Sequence, residues 1–192
     1  MSVTPLDYLY TRRSVKLVQE PGPSEEQLAQ ILQAAMSAPD HGRLRPWRFK
    51  LIRGAAIGRL ADLSIAATRA SGGTITDVKE ASIRRWLAKV PLLIAVACHL
   101  DHENTKIPEE ERMLSTGAAV MNMLNAAHML GLGAFWSTGL GTYADEVTDA
   151  LGFDALDYRF MGFVNVGTPV NVLPPMERPD FHDFLTEEWT GE

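Results

Sequence analysis

The sequence predicts an α+β fold arranged around one sheet, and three observations carry that prediction. Segments of helical periodicity and segments of strand patterning mix along the chain without the strict βαβ alternation of a doubly wound sheet. The run Pro91-Leu-Leu-Ile-Ala-Val-Ala-Cys-His99 is apolar throughout and of strand length, as expected for a central strand covered on both faces. Thr116 to Ala127 has almost no charge around its circumference, so the helix it belongs to is expected to be enclosed by protein on nearly every side.

The elements follow in order. Thr4-Pro5 supplies an N-cap and a proline at the first helical position, and a short helix is expected to end at Arg12-Arg13. Glu20-Pro21-Gly22-Pro23 breaks the chain. Ser24 and Gln27 then form a capping box ahead of Leu28, Ile31, Leu32 and Ala35 on one helical face. After the turn residues Pro39 to Gly42, Arg48 to Arg53 alternates polar with apolar, a strand with one wet face. Helices are expected over 55–70 and 76–90, separated by Gly72-Gly73, the second presenting Ile83, Trp86, Leu87 and Val90. Past the apolar strand, a long helix starts at Pro108 beside three glutamates and stops at Gly131. A strand at Gly133 to Ser137, a helix around Ala144 to Leu151 and a strand at Arg159 to Val166 complete the pattern. From Thr168 onward Pro169, Pro174, Pro175 and Pro179 predict an irregular tail.

Composition narrows the function. With 46% hydrophobic and 22% charged residues, the 192-residue chain is expected to form one domain over 1–192. A net charge of −6 and a pI near 5.4 speak against a phosphate-backbone partner such as nucleic acid. The single Cys98 leaves no internal disulfide and no cysteine-rich metal framework, which fits a reducing compartment. No run is long and apolar enough for a secretory segment or a membrane span, so a cytoplasmic protein without a membrane partner is expected.

Four stretches carry candidate chemistry. Arg12-Arg13-Ser14 puts two permanent cations and a hydroxyl at a helix C-terminus; they either bind an anion there with fork-like donors or complement the helix dipole and cap its carbonyls. Ala38 to Trp47 is a turn-rich loop in which His41, Arg43 and Arg45 offer donors to a phosphate or carbonyl, or form a solvated basic turn. Trp136-Ser137-Thr138-Gly139 ends a strand with hydroxyls and accessible amides suited to the rim of a flat heterocycle. The Gly139-x-Gly141-x-x-Ala144 spacing there is only superficially a dinucleotide fingerprint, because no βα series follows it. His99, Asp101 and His102 are compact enough to suggest metal ligands but lack His-Glu-x-x-His spacing. There is no Gly-x-Ser-x-Gly elbow, Cys98 reads as inert packing, and His128 with Met113, Met121, Met123 and Met129 reads as core or subunit interface.

Arg12-Arg13-Ser14, Ala38-Pro39-Asp40-His41 with Pro46-Trp47-Arg48-Phe49, Trp136-Ser137-Thr138-Gly139 and Val166-Gly167-Thr168-Pro169, in this order, resemble the nitroreductase family of FMN-dependent oxidoreductases, most closely its small YdjA-like branch. The resemblance covers nearly the whole chain. It implies a nitroreductase-like sandwich with one mixed sheet flanked by helices, assembled as an intertwined homodimer whose two FMN sites are each lined by both chains. The helix from Pro108 becomes the dimer spine, and residues of about 168–192 an arm wrapping the partner.

By the same resemblance Arg12, Arg13 and Ser14 face the FMN phosphate and ribityl chain, Trp136, Ser137, Thr138 and Gly139 border the ring system, and His41 reaches the cofactor from the other chain. Ser37 stands where the branch often has an arginine. Arg178, about ten residues after the Gly-x-Pro, is the candidate to compensate; the competing reading is a solvated arginine paired with Glu177 or Asp180. The implied chemistry is hydride transfer from NAD(P)H to flavin N5 and onward to a nitroaromatic, quinone or related small-molecule acceptor, ping-pong on one flavin face, with no side chain as chemical catalyst. Arg43 and Arg45 are candidates for an NADPH 2′-phosphate. Two other readings remain: a non-catalytic flavin-binding protein, and a metal-dependent hydrolase using His99, Asp101 and His102.

Overall fold

Local sequence signals set the helix ends. In the computed structural model, which describes residues 4–139, 141–174 and 176–191, α1 (Pro5–Thr11) opens with a capping box between Thr4 and Asp7, and α2 (Glu25–Ala35) with one between Ser24 and Gln27. Helices α3 (Ala55–Ala70), α4 (Asp77–Leu87), α5 (Glu109–Met129) and α6 (Asp145–Ala150) lie where periodicity predicted them. Gly131, at φ +75, takes the left-handed conformation after α5 that a β-carbon would disfavour.

The sheet comprises β1 (Val18–Gln19), β2 (Trp47–Arg53), β3 (Leu92–His99), β4 (Gly133–Ser137) and β5 (Tyr158–Pro169). Strand β5 is the hub: it pairs with β1, β3 and β4, while β3 also pairs with β2. Every described pairing is antiparallel, so within one chain the sheet is not the mixed one the resemblance implied. Strand β3 is buried along its length, as its unbroken apolar run predicts. One core forms where Ile94, Val96, Val164 and Val166 meet Ile31 of α2 and Val120 and Met123 of α5. The opposite face packs Leu93, Ala95 and Phe163 against Leu60 and Ala61 of α3 and Val147 of α6.

Strand β2 keeps its expected wet face at Arg48 and Lys50, which are exposed, although Ile52 beside them is buried. Trp47 belongs to one core and Ile52 to the other, and Lys50 gives its ammonium to the Leu151 carbonyl while lying 5.6 Å from the Phe153 ring centroid. The tail also begins later than predicted: Thr168 and Pro169 belong to β5, opposite Gln19 and Val18, and one 3-10 turn forms at Phe181–Phe184. Pro175 lies outside the described residues. Enclosure of α5 by its own chain is incomplete, since Leu114 is 73% and Met121 46% exposed. No helix among the described residues is long and apolar enough to cross a membrane.

Candidate functional site

The first locus forms where α1 ends. Arg12 leaves the helix in extended backbone, and its Nη1 is shielded from solvent without a hydrogen-bond partner. Arg178 comes back from the tail to the same place, its Nε donating to the Tyr10 carbonyl at 3.1 Å and its Nη2 to the Arg12 carbonyl. Arg13 donates to the Pro174 carbonyl at 2.6 Å. Burial, and then the charge of Arg178, hold the Arg12 guanidinium below its ordinary pKa. His128, in the last turn of α5, completes the group: its Nε2 lies 3.0 Å from Thr11 Oγ1, and burial followed by the Arg12 charge lowers its pKa. Two clustered guanidinia and a buried orphan N–H, at a helix end whose dipole repels anions, form a site that a bound phosphate would neutralise.

The second locus is reached along the chain from the first. After Ser14, the Val15 N–H donates to the Ala134 carbonyl at 2.8 Å, which lays this segment beside β4. Lys16 then has its carbonyl fixed twice, by Trp86 Nε1 at 3.1 Å and Asn165 Nδ2 at 3.2 Å. Its ammonium lies 4.9 Å from the Trp86 ring centroid. A cleft of about 280 Å³ opens here between α4 and the end of β4, lined by Lys16, Lys79, Trp86, Phe135, Ser137 and Gly139 among others. The end of β4 is shaped by Gly162, at φ +102 beside a register shift in the β3–β5 ladder; a β-carbon there would stand 2.3 Å from the Ser137 carbonyl oxygen.

The sequence-predicted residues are therefore divided. Arg12, Arg13 and Arg178 come together, and Ser14 lies on the path from them to Ser137 and Gly139 at the cleft. Arg178 pairs with neither Glu177 nor Asp180 among the described residues; Asp180 instead meets His182 at 2.7 Å. The Trp136 ring lies on the α5 side, near Gly117, with its N–H given to the Met161 carbonyl at 2.7 Å. Alternation along a strand sends Phe135 and Ser137 to the cleft and the residue between them to the other face. His41 pairs with Glu111 at 2.6 Å in the first turn of α5, while His128 beside Arg12 is in its last turn, roughly 25 Å away at 1.5 Å per residue. Within one chain His41 is thus remote from the phosphate-like locus.

The metal reading gains no support: no three His, Cys, Asp or Glu side chains among the described residues converge to hold an ion. His102 bonds to the Leu156 carbonyl at 2.6 Å, the His99 ring lies tilted against Tyr158, and the Asp101 carbonyl is held by the buried Arg112. Burial pushes the Cys98 thiol above its ordinary pKa, consistent with inert packing. Sequence reading missed Lys16, Lys79 and Trp86. Lys16 was findable, since it follows Ser14 by two residues in a non-helical segment and so shares its side; the lysine and tryptophan of α4 carried only helical periodicity.

Residues 9–168 match the model of the nitroreductase family. The chain belongs to the nitroreductase family. It is 35% identical over 182 residues, 94% of this chain and 97% of the relative, to a protein of Escherichia coli (strain K12) named "Putative NAD(P)H nitroreductase YdjA". A Desulfovibrio desulfuricans structure described as a "putative nitroreductase in complex with fmn" superposes with a TM-score of 0.75 at 26% identity, covering 98% of each chain. A nitroreductase-like family protein from Bacillus cereus shares the fold at a TM-score of 0.80 and 21% identity, over 100% of this chain and 98% of that one. The fold shared with these structures is the antiparallel sheet between two helical layers described above.

Proposed function

We propose that this protein is an FMN-dependent oxidoreductase that takes hydride from NAD(P)H and reduces a nitroaromatic, quinone or related small-molecule acceptor. The observation that carries the reading is the strip from Arg12 to Lys16: an orphaned, buried guanidinium N–H stands at one end, and a cleft walled by Trp86 and Ser137 opens at the other. Such a strip suits a molecule with a phosphate at one end and a flat heterocycle at the other. The names of the Escherichia coli and Desulfovibrio desulfuricans relatives support the same choice of cofactor and donor.

FMN, when bound, supplies two-electron transfer between donor and acceptor. The chain's own residues bind and orient. Arg12, Arg13 and Arg178 would hold the phosphate by charge-assisted bonds, with Ser14 beside the ribityl chain. Lys16 would stabilise negative charge at the ring edge, its backbone already fixed by Asn165 and Trp86. Ser137, Thr138 and Gly139 would meet the rim from the end of β4. Donor and acceptor would share one face of the bound ring in turn, the basis for ping-pong kinetics.

A second copy of the chain is part of this reading. The α5 stripe of Leu114 and Met121 and the tail residues Phe181, Phe184 and Trp189 are exposed apolar surface that a homodimer would cover. It would also bring His41 to the other chain's cofactor. The test is the purified protein itself, expected yellow with about one FMN per chain, bleached by NADPH or NADH under nitrogen, and giving parallel initial-rate plots with a quinone acceptor. Colourless protein that takes up no added FMN refutes the cofactor. Yellow protein left unbleached by reduced nicotinamides is a flavin-binding protein, and intersecting plots refute the shared face.

A further inference from the structure

Helix α4 is divided by charge. On one side Glu80 holds Arg69 at 2.6 Å and Arg84 at 2.9 Å, and Arg84 also grips Asp62. On the other side stand Lys79, Ser82, Arg85 and Trp86, continued by Lys89 just past the helix, within an arc of roughly 120° at about 100° per residue. None of Lys79, Arg85 and Lys89, nor Lys16 beside them, forms an ion pair among the described residues. A protein of net charge −6 has thus gathered four unneutralised cations around one indole.

That indole separates two contiguous spaces. The cleft at Ser137 and Gly139 shares Ser82 and Trp86 with a second trough of about 530 Å³, floored by Leu17, Val18, Ala88 and Val170 and edged by Arg85 and Lys89. A ligand whose redox ring lies in the first space and which continues past Trp86 enters a basic one. The FMN phosphate is already assigned to Arg12, Arg13 and Arg178 at the other end of the strip, so among the remaining partners of the proposed reaction the nicotinamide dinucleotide is the one that joins a planar redox ring to a phosphate-bearing half.

We propose that the trough edged by Arg85 and Lys89 binds the phosphate-bearing half of the reduced nicotinamide dinucleotide whose nicotinamide enters the adjoining cleft, an inference that rests on the function proposed above. Arg85 supplies fork-like donors and Lys89 a compact charge, while the apolar floor covers the adenosine. This assigns dinucleotide phosphate recognition to α4 rather than to Arg43 and Arg45, which stand at φ +57 and +48 in the loop that packs against the start of α5.

The experiment titrates FMN-loaded protein with NADP⁺ and with NAD⁺ by calorimetry at low salt, and measures KM for NADPH and NADH. Arg85→Ala combined with Lys89→Ala removes two exposed side chains, so folding and flavin content are expected to persist. NADP⁺ affinity should fall about tenfold or more and KM for NADPH should rise correspondingly, an effect that shrinks as salt is added. A loss confined to the NADP forms identifies the 2′-phosphate as the group held; an equal loss for both nucleotides identifies the pyrophosphate. Unchanged affinities in a yellow protein overturn the inference and leave the proposed function standing, as does a loss produced instead by Arg43→Ala with Arg45→Ala. Protein that takes up no FMN, read directly from its absorbance, overturns the function and this inference together.

Discussion

Arg178 donates to the main-chain carbonyls of Tyr10 and Arg12, tying the tail to the end of α1 across more than 160 residues of sequence. The carbonyls there lack helical partners and carry the negative end of the dipole, so a guanidinium both caps them and offsets their field. The same charge adds to that of Arg12 at the place where a phosphate is proposed to bind. Arg178→Ala should therefore weaken FMN binding by roughly one to two orders of magnitude, the value of one charge-assisted contact. Fluorescence titration of apoprotein with FMN measures it, and Arg178→Lys should recover part of the loss. Unchanged affinity would leave the phosphate to Arg12 and Arg13.

His128 gives the fold a pH dependence of predictable sign. Its pKa is lowered in the folded chain, first by burial and then by Arg12, so the neutral form is favoured. The stability it contributes is present above the unfolded value near 6.5 and is lost as pH falls through the lower folded value. Thermal unfolding followed from pH 7.5 to 5 should show a steeper decline for the parent than for His128→Gln. Bound phosphate or FMN, by neutralising Arg12, should reduce the difference.

Gly162→Ala tests how the end of β4 is built. The new methyl would meet the Ser137 carbonyl oxygen at 2.3 Å from a backbone at φ +102. Strand β4 must shift or the bulge must close. A loss of at least about 2 kcal/mol in denaturant unfolding is expected, together with weaker FMN binding because Ser137 moves.

Met121→Asp probes the proposed homodimer. The side chain is 46% exposed on the same stripe of α5 as Leu114, so a carboxylate there is tolerated by one chain but not beneath a second. Light scattering at micromolar concentration should report a dimer for the parent and a monomer for the variant, with FMN lost alongside the dimer. A variant that remains dimeric would place the interface elsewhere.

Much of the framework is local information. Capping boxes at Thr4 and Ser24, the stop at Gly131 and the apolar run of β3 each depend on neighbours a few residues away, and each was readable from the sequence. The Arg12-Arg13-Ser14 and Trp136-Ser137-Thr138-Gly139 stretches stood out as candidates by residue type and place at an element's end, but only the family resemblance attached a cofactor to them.

What only the tertiary structure decided depends on distant partners. Strand β1 has two residues, too few for a period, and exists because Thr168 and Pro169 of β5 lie opposite it. Sequence could not say that Lys16 stands over Trp86 or that the Trp136 ring faces away from the cleft, and it left Arg178 between a place beside Arg12 and a solvated pairing with Glu177 or Asp180. Helical and strand periods give the face a side chain occupies relative to its own element. Which face meets which, and which cations are left without carboxylates, is fixed when packing brings separate elements together.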